Sequence, residues 1–254
     1  MDTFYATAPD GVRIAYDRSG SGPALLLLHG LPGERQRWHT AGYIEPLSQH
    51  FTVLTVDARG NGESDHPADP AAYAEERILA DILAVADANR ADHFSLWGHS
   101  FGASITRQLA ATNDRVTRAV MAGGVFGPIF TQDAVDPIVA ELKPLADAQA
   151  AGTLDQLDIS PKERAEAASY PFAVVIATLQ SLVGWRQIQP DQIHCPLLVY
   201  TGTNDHVLGR LENQRPAIEM AGHRLIIFDE LDHGQLVDAR ETVLPVTLPF
   251  LLGQ

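Results

Sequence analysis

The chain is short of three things that carry much protein chemistry. It has one cysteine, Cys195, which excludes an internal disulfide and any cysteine-built metal site. Its surroundings, Cys195-Pro196-Leu197-Leu198-Val199-Tyr200, predict a buried structural thiol rather than a reactive one. It has two lysines, Lys143 and Lys162, and a formal net charge of −14 over 254 residues. Nucleic-acid backbones are gripped by clustered Lys and Arg. With no basic stripe present, nucleic acid is not an expected partner, and the acidic balance reads as a solvated surface. Long hydrophobic runs are missing too. Ala24 to Leu28 is typical, far short of the ~20 apolar residues that span a bilayer. The opening MDTFYATAPDG has no basic region followed by an apolar core. No membrane contact and no secretory leader are therefore expected, and the predicted location is cytoplasmic. Two motifs are lacking as well: His-Glu-x-x-His, and Gly-x-Gly-x-x-Gly after the first buried strand. Neither a metal nor a nicotinamide cofactor is expected.

What is present begins with an ordinary globular composition, 45% hydrophobic and 20% charged. The length suits one large α/β domain that can carry an inserted subdomain. Short apolar runs recur, each closed by glycine or a polar residue: Ala24 to Leu28, Phe51 to Val56, Phe94 to Trp97, Val116 to Ala122, Leu197 to Thr201 and Leu225 to Phe228. Continuous rather than alternating hydrophobicity predicts parallel strands buried on both faces. Phe4 to Thr7 and Val12 to Tyr16 flank Pro9-Asp10-Gly11 and predict an antiparallel edge hairpin. Helical patterns follow the strands: Ala71 to Asn89 places Ile78, Leu79, Ile82, Leu83 and Val85 on one face, and Ser100 to Ala111 forms another. The expectation is a doubly wound, mostly parallel, eight-stranded sheet formed by residues 1–124 and 191–254. Residues 125–190 hold helical patterns (Asp133 to Ala151, Pro161 to Ala168, Phe172 to Val183) and no convincing strand. They are expected to form a helical lid over the carboxyl ends of the strands.

Those strand ends are where chemistry gathers in a parallel sheet. Gly98-His99-Ser100-Phe101-Gly102 stands between a strand and a helix. Glycines at 98 and 102 are what a sharp turn needs, and the helix start beneath Ser100 offers unpaired N–H groups to a developing negative charge. A serine nucleophile needs a base and an orienting acid. His233, in Leu231-Asp232-His233-Gly234, follows the last strand at the same edge. Asp205, in Gly202-Thr203-Asn204-Asp205, follows the strand before it. Asp229, Glu230 and Asp232 compete by nearness but share the histidine's loop and read as solvated or capping groups. The oxyanion donors expected are the backbone N–H of Phe101 and that of Leu31 in His29-Gly30-Leu31-Pro32-Gly33; Pro32 has none to give. His29 reads as a residue tying that loop down. Trp38, Phe126, Phe130, Phe172 and Val207 are the candidates for an apolar substrate pocket, with Arg35, Arg37 and Arg186 the basic residues nearby.

These motifs in this order resemble the α/β-hydrolases, in particular the lid-bearing group of esterases, lactonases and epoxide-hydrolase-like proteins. The oxyanion loop at 29–33, Asp57-Ala58-Arg59-Gly60-Asn61-Gly62-Glu63-Ser64, the elbow at 98–102, the acid loop at 202–205 and Asp232-His233-Gly234 carry the likeness. The resemblance implies the fold, a Ser100–His233–Asp205 triad, a structural role for the 57–64 turn and no cofactor. Epoxide hydrolases and haloalkane dehalogenases of this fold use an aspartate nucleophile, whereas this chain has serine. The expected activity is thus hydrolysis of small, largely apolar carboxylic esters or lactones. The alternatives are carbon–carbon bond hydrolysis, cofactor-free peracid formation (perhydrolase or haloperoxidase-like) and, in a different class, a ligand receptor on a hydrolase scaffold.

Overall fold

The computed structural model describes residues 2–254. Eight strands form one sheet: β1 (Phe4–Thr7), β2 (Arg13–Ser19), β3 (Ala24–Leu28), β4 (Thr52–Val56), β5 (Phe94–His99), β6 (Val116–Ala122), β7 (Leu197–Gly202) and β8 (Arg224–Phe228). Their order is β1-β2-β4-β3-β5-β6-β7-β8. β1 and β2 form the antiparallel edge hairpin, β2 is also antiparallel to β4, and every pairing from β4–β3 to β7–β8 is parallel. The helices are α1 (Gln36–Thr40), α2 (Ile44–Ser48), α3 (Glu75–Ala88), α4 (Phe101–Thr112), α5 (Gln132–Ala151), α6 (Pro161–Ser169), α7 (Phe172–Val183), α8 (Leu208–Met220), α9 (Gln235–Asp238) and α10 (Arg240–Leu252).

The sheet is buried on both faces, which is why its strands read as unbroken apolar runs. Within β3, Leu26 and Leu28 face one core with α3, α4 and α8, whereas Leu25 and Leu27 face a second core with α1, α2, α9 and α10. Between β6 and β7 the chain is helical only, and α5 and α7 share a small apolar cluster of Val135, Val175 and Leu179. Both junctions of this segment are held by core side chains. Arg107 of α4 donates to the carbonyls of Val125 and Gly127, and Gln108 beside it donates to that of Arg186. From α8, Arg210 and Gln214 donate to the carbonyl of Phe126. Among the described residues no single helix is long and apolar enough to cross a membrane.

The turn at 57–64 is an ionic anchor. Asp57 is fully buried and accepts from the backbone N–H groups of Arg35 (2.6 Å) and Glu63 (2.9 Å), with the Arg35 guanidinium on the same carboxylate. Arg59 makes a two-pronged contact with buried Asp81 at 2.6 and 2.5 Å. Arg35 also meets Asp17, and Arg186 pairs with Glu75. Two of the three basic residues noted near the site are thus committed elsewhere. Cys195 is buried, and burial pushes its thiol up to about 11, as suits an inert structural residue.

Candidate active site

Ser100 sits between β5 and α4 at φ 54°, ψ −108°, a conformation L-residues rarely adopt and one that stores ~1–3 kcal/mol. The neighbouring glycines make the turn possible. A Cβ at Gly98 would collide with the backbone of Gly102, and one at Gly102 with the carbonyl of Leu28 on β3. The turn is also stitched to both flanking strands: Ser100 N–H donates to Ala122 (2.8 Å) and Gly102 N–H to His29 (3.0 Å). Its side chain is therefore held at the carboxyl edge of the sheet.

Three strand-end loops meet there. His233 Nε2 lies 2.9 Å from Ser100 Oγ, and His233 Nδ1 lies 2.9 Å from Asp205 Oδ1. The Asp205 carboxylate accepts, so Nδ1 carries the proton and Nε2 is left to accept from the serine hydroxyl. Burial pushes the Asp205 carboxyl up. Hydrogen bonds from His233, the Val207 N–H and the Thr201 hydroxyl outweigh that effect and hold it below the ordinary carboxylate range. Of the competing acids, Asp232 accepts from the nearby Gln235 N–H.

Two histidines brace this arrangement. His29 is buried, accepts from Ala58 N–H at 3.0 Å and donates to the Gly30 carbonyl at 2.7 Å, tying the 29–33 loop to the 57–64 turn. His99, inside the pentad, donates from Nε2 to the carbonyl of His233 at 2.8 Å. Burial, with the neighbouring His233, pushes His99 down to about 4, so it is a neutral donor at neutral pH. Sequence reasoning passed over His99, and Thr201 with it; the signal was simple adjacency, His99 to the nucleophile and Thr201 to the acid loop. Leu31 and Phe101 line a cavity together with Ser100, and among the described residues neither backbone N–H donates to a protein acceptor.

Two cavities share Leu31, Pro32, Ser100 and His233 as a common wall. One, of about 380 Å³, runs beneath α5 and α7 and is lined mainly by apolar groups, among them Phe130, Leu142, Val175, Leu179 and Val207. The other, of about 500 Å³, is lined by polar groups that include Glu34, Gln36, Arg37 and Asp238, with Arg37 paired to Asp238 at 2.6 Å. Phe130 and Val207 thus lie where a pocket was expected, whereas the other three pocket candidates do not. Trp38 packs edge-on against Tyr43 and Trp97 on the opposite face of the sheet. Phe126 is fully buried in the core at the segment's first junction, and Phe172 packs on Tyr170 at the start of α7.

Residues 23–170 match the family model described as the alpha/beta hydrolase fold. The chain belongs to the α/β-hydrolase fold family. An uncharacterized protein of Mycobacterium bovis is 38% identical over 119 residues, 45% of this chain and 33% of that protein. The chain thus spans about a third of the length of the first curated relatives it matches. A solved hydrolase from Pseudomonas aeruginosa superposes with a TM-score of 0.79 at 24% identity, covering 100% of this chain and 99% of that one. A thermophilic esterase from Thermogutta terrifontis superposes at 0.78 with 19% identity, covering 100% and 99%. Epoxide hydrolases occur among the similar sequences and the similar structures. At these identities the structural likeness speaks for the fold alone.

Proposed function

We propose that this chain is a serine hydrolase of small carboxylic esters or lactones, with residues 125–190 as a helical lid over its acyl pocket. The observation that carries the reading is the unbroken chain of 2.9 Å contacts from Ser100 Oγ through His233 to Asp205, built on a strained turn. A carboxylate at 100 would favour displacement at carbon, as in epoxide opening. A hydroxyl facing an imidazole nitrogen favours attack on a carbonyl.

In this mechanism Ser100 Oγ attacks the carbonyl carbon as His233 Nε2 takes its proton. The N–H groups of Leu31 and Phe101 hold the oxyanion, a contribution of ~3 kcal/mol per donor in comparable chemistry. His233 then gives the proton to the leaving alcohol as the carbon–oxygen bond breaks. Water repeats the sequence on the acyl-enzyme and restores Ser100. Asp205 holds His233 in the required tautomer and stabilises its transient charge. The two cavities supply the substrate's two ends. An apolar acyl group fits the largely apolar space beneath α5 and α7. A more polar alcohol fits the Arg37-lined space and departs first.

The test is covalent labelling by a fluorophosphonate probe alongside turnover of p-nitrophenyl butyrate. The expected result is stoichiometric labelling at Ser100, lost in Ser100→Ala, with steady multiple turnover by the wild type. Labelling that persists in the alanine variant would overturn the assignment. A single burst with a lasting covalent product would instead favour a receptor.

A further inference from the structure

We propose that Asp205, His206 and His233 form a binding site for a borderline-soft divalent metal ion, with Zn2+ as the probe, and that its occupation switches the serine chemistry off. The consequence for activity rests on the hydrolase reading; the binding site does not. Asp205 Oδ1 lies 2.9 Å from His233 Nδ1 and 3.2 Å from His206 Nδ1, and the three ligand atoms all lie within 4.8 Å of one another. Tetrahedral Zn2+ with bonds of about 2.0–2.1 Å sets neighbouring ligand atoms about 3.3 Å apart, so small side-chain shifts suffice. Two imidazoles and one carboxylate are a donor set Zn2+ takes when the fourth position is left to water. Hard cations such as Mg2+ prefer oxygen donors and are not accommodated.

The surroundings suit an ion arriving from solvent. Asp205 is fixed by the Thr201 hydroxyl and the Val207 N–H, so the anionic ligand is preorganised. His206 is largely exposed, and its ring stands 4.5 Å from that of His233, opening the cluster to water on one side. His206 has no place in the proton relay.

Occupation would disable the base through its tautomer. Without metal, the Nδ1 proton of His233 points at Asp205 and the Nε2 lone pair faces Ser100. A metal on Nδ1 takes the place of that proton, which is displaced and relocates through water to the Nε2 lone pair. His233 keeps its proton count, but Nε2–H is now a donor toward Ser100 Oγ and has no lone pair to receive the hydroxyl proton. The ion is an inhibitor here, not a cofactor.

Calorimetry with Ser100→Ala protein separates binding from activity. Zn2+ is expected to bind at one ion per chain, and adding His206→Gln should weaken it by at least about tenfold. In the wild type Zn2+ should suppress p-nitrophenyl butyrate turnover, and EDTA should restore it. With each protein normalised to its own zinc-free rate, His206→Gln should raise the half-inhibitory concentration by a similar factor. Equal affinity with and without His206, or equal effects from Mg2+, would overturn the proposal. Zinc binding that depends on His206 in a protein that turns over no ester would leave the site standing and sink the hydrolase reading.

Discussion

The turn at Ser100 and the helical segment between β6 and β7 are built by opposite means, although both wall the same apolar cavity. At the turn, main-chain geometry decides everything. Ser100 holds a positive φ, two glycines admit the close passes of α4 and β3, and backbone hydrogen bonds fix the edges. The helical segment rests instead on side chains reaching from the core to its junction carbonyls, Arg107 and Gln108 from α4, Arg210 and Gln214 from α8. Backbone constraint tolerates almost no substitution. Side-chain hooks can be changed while the strands stay in register. In the proposed hydrolase, the chemistry would thus sit in the rigid part and the shape of the substrate cavity in the adjustable part.

The largest expected effect tests the rigid half. Gly98→Ala drives a methyl group into the Gly102 backbone and should cost at least ~4 kcal/mol or prevent folding, read by urea denaturation. A variant of near wild-type stability would break the contrast.

Next comes the brace beside Ser100. Burial keeps His99 neutral down to about pH 4, whereas an unfolded histidine takes its proton near ~6.5. Between those values the unfolded chain binds the proton and the folded chain does not. Stability should therefore fall as the pH drops through that window, by ~3 kcal/mol from this residue. His99→Gln keeps an N–H donor for the His233 carbonyl but cannot titrate. Urea midpoints at pH 7 and 4.5 should lie closer together in the variant, and an unchanged gap would remove His99 from the account.

The smallest effect tests the adjustable half. Arg107 is fully buried, and burial pushes it down to about 10, so it remains a cation at neutral pH. Arg107→Met removes that desolvated charge but leaves the Val125 and Gly127 carbonyls without their donor, a net loss of about 2 kcal/mol. Steady-state kinetics should show KM rising more for long acyl esters than for acetate, with kcat within a few-fold. A collapse of kcat for every ester would mean that the junction supports the chemistry and not only the cavity.

Much of the core was legible because its strands are buried on both faces and so appear as unbroken apolar runs. The helices after β7 were harder to read. α8 buries only Leu211 and Ile218, and α10 is apolar around most of its circumference, so neither shows the one-sided apolar stripe that marks a helix in sequence, although tertiary packing sustains both. The pocket was the least legible part. Trp38 follows the 29–33 loop closely in sequence, yet its side chain turns into the core on the far face of the sheet, while Gln36 and Arg37 of the same helix reach the cavity. Large aromatic residues near a motif are a poor guide to lining, because a sheet only one residue thick separates the two cores.

By itself the sequence determined the strand count, the glycine-framed turn at Ser100 and the order of the strand-end loops, since each depends on local composition and chain periodicity. Only the tertiary structure decided that three loops far apart in sequence bring Ser100, His233 and Asp205 to 2.9 Å contacts. It also decided that His206 joins the last two and which side chains face the cavities. Those outcomes depend on strand order and on the face each helix covers, and no local pattern encodes either.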